Sequence, residues 1–387
     1  GQAQRFGSAR ENGFCKRLQF MTKKNNSSPT KRGITIMDVA RASGVSYSTV
    51  SRVVSGYEFV KESTYNRVME AVQQLGYVVN LPARSLAGGR SKIIGLLVPN
   101  LDNTYVGTIA RGIDQELVRA NYDLMLYTSH RHPGKESLYV SAIANGLTEG
   151  LLLVAPLVPT AYLDGLREQN FPYVLIDQVD NTENSSVVDA TNWQGAYEAT
   201  RYLSQLGHTR IAFIKGALDV RSAIDRLQGY KAALADCDIP VREELIVEGD
   251  YQQQTGYETT KRLLQSVDFP PTAIFASNDA SAFGAMDAVR EGGLRIPDDI
   301  SIIGFDDIPQ ASLVYPKLTT VRQPLEQMGR VAVKLLLEQI EDRNRLPQRV
   351  TLPTELVIRD SCASFQLPRS EPKKQVLKDR RPPIENQ

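Results

Sequence analysis

From Lys92 onward, short runs of Val, Ile and Leu alternate with longer amphipathic stretches. The runs KIIGLLV (92–98), YDLMLYT (122–128), GLLLVA (150–155) and YVLID (173–177) read as strands separated by segments of helical length. After VVDATNW (187–193) the alternation resumes with IAFI (211–214), TAIFA (272–276) and SIIGF, the last running into Asp306. A helix at 324–344 and a strand TLPTELVI (351–358) come last. Such alternation predicts parallel sheets covered on both faces. Two successive runs of it predict two doubly wound α/β subdomains, 92–190 plus 325–349 and 191–324 plus 350–360.

Before this core the period changes. Residues 34–80 predict an all-α unit of three short helices. Thr35 stands as N-cap before MDVARASG, which Gly44 ends; Ser46 caps YSTVSRVVS, closed by Gly56; Lys61 to Leu75 forms the third, with Gly76 behind it. On the second helix Val50, Val53 and Val54 share one face, placed to pack against Val39, Ala40, Val68 and Leu75. The opposite face holds Tyr47, Ser48, Ser51, Arg52 and Ser55. Small residues, hydroxyls and a guanidinium suit a helix entering the DNA major groove, although the same hairpin shape also serves protein–protein packing. LPARSLAGG, within a hinge at 81–91, predicts one short helical turn, too short to be stable without a partner.

Charge sharpens the division. The 387-residue chain has a net charge of +1, but residues 1–92 carry 15 Lys/Arg against 5 Asp/Glu, a net of +10. The remainder, with 30 against 39, is at −9. A basic head on an acidic body fits a polyanion-binding unit joined to a sensor. The polar segments 1–33 and 361–387 read as disordered tails, and Met21 is a candidate start. No apolar run approaches the ~20 residues of a membrane span. The N-terminal stretch lacks a secretory apolar region, and Cys15, Cys237 and Cys362 have no metal-ligand spacing. A cytoplasmic protein with reduced thiols is the expectation.

Catalysis finds little support, because His130, His132 and His208 sit in no nucleophile, zinc or phosphate-loop pattern. His208, before IAFI, reads as a capping or packing residue. No metal or cofactor is expected. Polar residues do gather where strands end: Asp177, Asp189, Asn278, Asp279 and Asp306, with Arg226 near a helix start. Carboxylates accept hydrogen bonds from sugar hydroxyls, and ligands of such folds lie beyond the carboxyl ends of the strands. Taken singly, an Asp that follows a strand is more often a helix N-cap than a ligand contact. Trp193 is placed beside the crevice or in packing.

Several motifs together carry a resemblance. T-x-x-D-V-A-x-x-x-G-V-S-x-x-T-V-S-R-V from Thr35 to Val53 is similar to the headpiece of the lactose-repressor (LacI/GalR) family of bacterial transcription regulators. NLPARSLAGG resembles that family's hinge, and GLLVPNLDNTY, NDASAFGAMDAVREGGLRIPDDISIIGFDD and PKLTTVRQP resemble its periplasmic-binding-protein-like effector core. The likeness spans roughly 34–360. It implies base reading by Tyr47, Ser48 and Arg52, with Thr49 and Ser51 touching phosphate or base and Thr35, Ser46 and Ser55 beside them. It also implies a minor-groove wedge at Leu86, with Arg84 and Arg90 meeting phosphates. Arg226, Asn278 and Asp306 match effector contacts, Tyr105 and Tyr251 match ring-contacting aromatics, and Asp177, Asp189 and Gln323 are further candidates. Many members carry Asn-Pro in the first loop where this chain has Asn103-Thr104, a change that alters loop shape.

The expectation is a homodimeric repressor that grips a pseudopalindromic operator in double-stranded DNA. A small effector, a sugar or glycoside, controls that grip from the cleft through the short hinge segments. A purine- or other metabolite-responsive regulator is the alternative. A transport solute-binding protein is a remoter one, since it needs a signal peptide and no headpiece.

Overall fold

A computed structural model describes residues 34–54, 59–77, 90–101, 104–146, 148–157, 160–178, 184–266 and 270–365. The expected N-terminal tail, residues 366–387 of the expected C-terminal one, the Gly56 helix stop and the hinge turn at 81–89 lie outside the described residues. Residues 361–365, expected in that tail, are corrected: Ser361 is buried with its hydroxyl donating to the Ile302 carbonyl at 2.6 Å, and Phe365 N donates to the Leu206 carbonyl at 2.8 Å. The chain divides into two compact units, 1–83 and 84–387.

In the first unit, α1 (Ile36–Ser43), α2 (Tyr47–Val54) and α3 (Glu62–Leu75) enclose a small core. The backbone N–H and hydroxyl of Thr35 both donate to Asp38 Oδ2, at 2.9 and 2.7 Å, tying down the first turn of α1. Gly44 and Gly76 close α1 and α3 in the left-handed conformation (φ 63° each). Val39, Ala40, Val50, Val53, Val68 and Ala71 are buried together, with Val54 and Leu75 against them. So few apolar side chains make a core that is stable only as a cooperative trio of helices.

The second unit holds two six-stranded sheets. The first has the order β11-β5-β4-β3-β1-β2, all parallel, from β1 (Ile93–Val98), β2 (Asp123–Thr128), β3 (Gly150–Val154), β4 (Tyr173–Ile176), β5 (Ser186–Ala190) and β11 (Arg349–Leu352). The helices of this lobe are α4 (Thr104–Arg119), α5 (Pro133–Ala144), α6 (Thr160–Glu168) and α11 (Leu325–Glu341). The second sheet runs β12-β10-β9-β8-β6-β7, from β6 (Ile211–Ile214), β7 (Ile246–Val247), β8 (Ala273–Ala276), β9 (Ser301–Asp306), β10 (Thr319–Arg322) and β12 (Glu355–Val357). It is parallel except for the β10/β12 pair, and its helices are α7 (Asn192–Gln205), α8 (Arg221–Asp236), α9 (Gln253–Ser266) and α10 (Asp279–Glu291). Central strands such as β1, β3 and β8 are buried throughout, which is why they read as continuous apolar runs rather than alternating ones.

The expected strand at 351–358 is corrected. Pro353 has no N–H for a ladder, and the segment splits there: β11 pairs with β5 of the first sheet, β12 with β10 of the second. Residues 350–352, expected in the second lobe, therefore belong to the first. The chain passes between lobes three times, after β5, after β10 and at Pro353. Two of these passages are bonded side by side, Thr191 Oγ1 accepting from Thr354 N at 2.9 Å. In the first lobe α4 and α11 approach backbone to backbone. A Cβ on Gly112 would stand 2.1 Å from the Glu326 carbonyl oxygen, and one on Gly329 would stand 2.4 Å from that of Ile109. Among the described residues no helix is long and apolar enough to cross a membrane.

Candidate functional site

The face of α2 turned away from the headpiece core is polar. Tyr47, Ser48 and Arg52 are exposed and Thr49 and Ser51 half-buried. Ser46 Oγ accepts from Thr49 N at 3.2 Å and shares hydrogen bonds of 2.9 Å with the Ser48 and Thr49 hydroxyls. The hydroxyls are thus held in a fixed array by the helix start itself. Thr35 is occupied as the α1 cap. Ser55, Arg84 and Leu86 lie outside the described residues.

A cavity opens beyond the carboxyl ends of the strands of both lobes, enclosing about 530 Å³ with its mouth included. Tyr105, Asp177, Arg226, Tyr251, Asn278 and Asp306 all line it. The backbone turns sharply where several strands hand over to loops. Ala155 (φ 42°), Asp177 (φ 58°), Tyr251 (φ 69°) and Asp306 (φ 115°) all adopt left-handed conformations. Such conformations cost about 1–3 kcal/mol each in non-glycine residues and gather at ligand sites.

The charges are buried and interlocked. Arg226, 2 % exposed, donates from Nε to Asn192 Oδ1 (2.9 Å) and from Nη1 to the Ser277 carbonyl, and Nη1 lies 3.6 Å from Asp306 Oδ1. Its guanidinium stacks 3.8 Å from the centroid of Phe305. Burial pushes the Asp306 carboxyl up to about 7, against the pull of Arg226 and of Gln323, whose amide donates to Asp306 at 2.7 Å. Asp177 is likewise raised by burial, opposed by Arg226, by the Tyr105 hydroxyl (2.8 Å) and by Ser222 (3.1 Å). Burial and Asp306 together raise Asp279, which accepts from Thr320 Oγ1 (2.5 Å) and Ile308 N (2.9 Å) beneath the site. Burial lifts the Tyr251 phenol to about 12. Three buried oxygens on residues that line the cavity, the acceptors Asn100 Oδ1 and Asp177 Oδ1 and the Tyr251 hydroxyl, have no hydrogen-bond partner among the described residues.

Several side chains bridge the lobes at this place. Arg131 meets Asp219 at 2.9 and 3.0 Å; Gln178 exchanges hydrogen bonds with Asp219 O and Arg221 N; Gln310 donates to Thr104 at 3.1 Å. The cleft is therefore closed in this structure.

Asn278 caps α10, its Oδ1 accepting from Ser281 N at 2.9 Å, while its amide holds the Tyr251 carbonyl at 3.0 Å. Gln323 is not in the lining and acts on Asp306 from behind. Asp189 is not in the lining either: Arg349 grips its Oδ2 at 2.5 and 3.1 Å within the first sheet. Trp193 is corrected to a half-exposed stack on Tyr197, 5.2 Å between ring centroids, rather than a crevice or core residue. His208 is buried among Thr272, Ser301 and the Ala363 carbonyl. Residues in the lining that sequence reasoning passed over include Asn100, Arg131, Val220, Asp250 and Gln252. Asn100 and Arg131 each follow the end of an expected strand, so the rule that picked out Asp177 could have found them; Asp250 follows β7, a two-residue strand that carries no such signal.

The geometry has counterparts among known proteins. Residues 35–80 match the family described as bacterial regulatory proteins, lacI family, and residues 200–362 match a periplasmic binding protein-like domain. The HTH-type transcriptional repressor PurR of Yersinia pestis is 36 % identical over 334 residues, covering 85 % of this chain and 97 % of the relative. The lac repressor dimer bound to operator and the anti-inducer ONPF superimposes with a TM-score of 0.75 at 30 % identity, covering 86 % of this chain and 100 % of the other. The transcriptional regulator CelR in complex with cellobiose gives a TM-score of 0.66 at 30 % identity, covering 85 % and 99 %. With the headpiece matched and the likeness running through the core, the chain belongs to the lacI family of bacterial regulatory proteins and is a transcriptional regulator, not an enzyme.

Proposed function

We propose that this repressor binds a pseudopalindromic operator as a cytoplasmic homodimer, and that a neutral sugar or glycoside in the cleft controls its hold on DNA. Tyr47, Ser48 and Arg52 of α2 read base edges in the major groove, with Thr49 and Ser51 beside them. Two copies related by a two-fold axis present two such helices to the two halves of the operator.

The observation that carries the ligand class is the pair of unpartnered buried acceptors, Asn100 Oδ1 and Asp177 Oδ1, in the cavity between the lobes. Buried acceptors without partners cost free energy until a donor arrives, and sugar hydroxyls are donors. Three carboxylates, Asp177, Asp250 and Asp306, line the space against two guanidiniums, Arg131 and Arg226, which disfavours an anionic ligand. Tyr105, Val106, Val220 and Tyr251 supply the apolar wall that a pyranose face needs. A structural neighbour, the transcriptional regulator CelR in complex with cellobiose, accords with this reading.

A thermal-shift series of the full chain with neutral sugars and purine bases tests it, followed by operator retention with each hit. A sugar should raise the melting temperature and change operator retention. Stabilisation by a purine base but by no sugar overturns the ligand class.

A further inference from the structure

A second recess opens on the first lobe, at the amino ends of β4 and β5 and so at the opposite end of the sheet from the cleft. It encloses about 580 Å³, mouth included. Arg167, Arg343 and Arg345 line it together with neutral polar groups such as Asn184 and Gln339, and among the described residues no Asp or Glu does. Phe171, Pro172 and Pro347 give it an apolar wall.

Two of the three guanidiniums are tethered from outside the recess, Arg167 by Asp164 at 2.6 Å and Arg345 by Glu338 at 2.9 Å. Arg167 also reaches Ser185 Oγ at 3.3 Å. Arg343 is different. It donates to the Asn170 carbonyl at 2.8 Å, and among the described residues it has no carboxylate within ion-pair distance. Burial disfavours its protonated form, Glu149 partly offsets this, and the like charge of Arg90 adds a smaller opposing effect. An exposed guanidinium with no carboxylate in ion-pair contact among the described residues, at a recess walled by donors, can take an incoming anion.

We propose that this recess is a second small-molecule site, taking a phosphate monoester whose anionic end meets Arg343 and Arg167 and whose ring or chain lies on Phe171. Guanidiniums and neutral donors outnumber the two oxygens of a carboxylate but suit the three terminal oxygens of a phosphate ester. The recess is concave, and Arg167 within it is only 24 % exposed while Arg343 and Arg345 stand exposed at its rim, so a small ligand reaches all three better than a duplex backbone does.

Calorimetry on the full chain at low ionic strength tests this with phenyl phosphate, inorganic phosphate and neutral benzyl alcohol. Phenyl phosphate should bind saturably, one per chain and more tightly than inorganic phosphate, while benzyl alcohol should not bind. Arg343→Gln should weaken phenyl phosphate at least tenfold. Gln339→Glu, which keeps all three arginines and nearly the same side-chain shape, should do the same with an unchanged melting temperature. Arg131→Ala, which removes a cation from the cleft, should leave the affinity within twofold. Three results overturn the proposal: no saturable binding by the unaltered chain; loss of binding in Arg131→Ala with retention in Arg343→Gln, which moves the anion to the cleft; or Arg343→Gln lowering affinity for an operator duplex alone, which gives the recess to nucleic acid.

Discussion

Arg226 holds together groups that would otherwise repel. Its guanidinium is buried between Asp306, Asn192 and the Ser277 carbonyl, with Asp177 close enough to feel its charge. Truncation leaves buried carboxylates uncompensated, so Arg226→Ala should cost about 3–5 kcal/mol of core stability as well as the ligand response. Urea unfolding measures the first. Operator retention measures the second, and ligand-free affinity for DNA should stay within about twofold. Asp306 makes a second prediction. Because its carboxyl is raised from 3.8 to about 7 in the fold, the folded core holds an extra proton between those values. Core stability should therefore fall as pH rises from about 4 through 7. A sugar hydroxyl donates to the ionised form, so sugar affinity should change the opposite way and strengthen across pH 7. Asp306→Asn should flatten both slopes in melting and titration series. On α2, Arg52→Ala should cost about 1–3 kcal/mol at a preferred base pair and narrow the gap between specific and nonspecific duplexes in a binding assay. The strand-end rule brought Asp177, Asn278 and Asp306 to one cavity from sequence alone. It misplaced Asp189 because the partner that claims it, Arg349, sits on β11, a strand whose register no local pattern announces.

Elements were legible where burial or capping imposes a pattern. The all-buried strands announced themselves as apolar runs, and the headpiece helices by Thr35, Ser46, Gly44 and Gly76. Short strands such as β7 and β10 did not, since two to four residues carry no period. TLPTELVI looked like one strand because its residue types suit either sheet. Only the missing N–H of Pro353 marks the break. The contact between α4 and α11 has its own signature, invisible without coordinates: Gly112 and Gly329 are placed where any side chain meets opposing backbone. Main chain cannot swing aside as a side chain can. Gly112→Val should therefore destabilise the core by about 3 kcal/mol, at or beyond the usual range for overpacking, measurable as a lower urea midpoint.

At the scale of the whole molecule, the Arg131–Asp219 pair and its neighbours tie the two lobes together across the closed cleft. Arg131→Ala should speed ligand release and weaken affinity several-fold in stopped-flow and equilibrium measurements, with little effect on melting, because the pair is partly exposed. The three passages between lobes limit what opening can be. Ala190 and Leu352 are adjacent strand ends in one sheet, Arg322 and Glu355 adjacent in the other, and Thr191 is bonded to Thr354 between them. Parallel ropes tied this closely forbid sliding but allow swinging, as a door turns on its jamb. Whatever a metabolite does in the cleft must therefore emerge as a rotation, largest at the rim farthest from the jamb and almost nil beside it. Distance probes placed along that gradient would measure the angle through which a few hydroxyl groups turn half of the sensor.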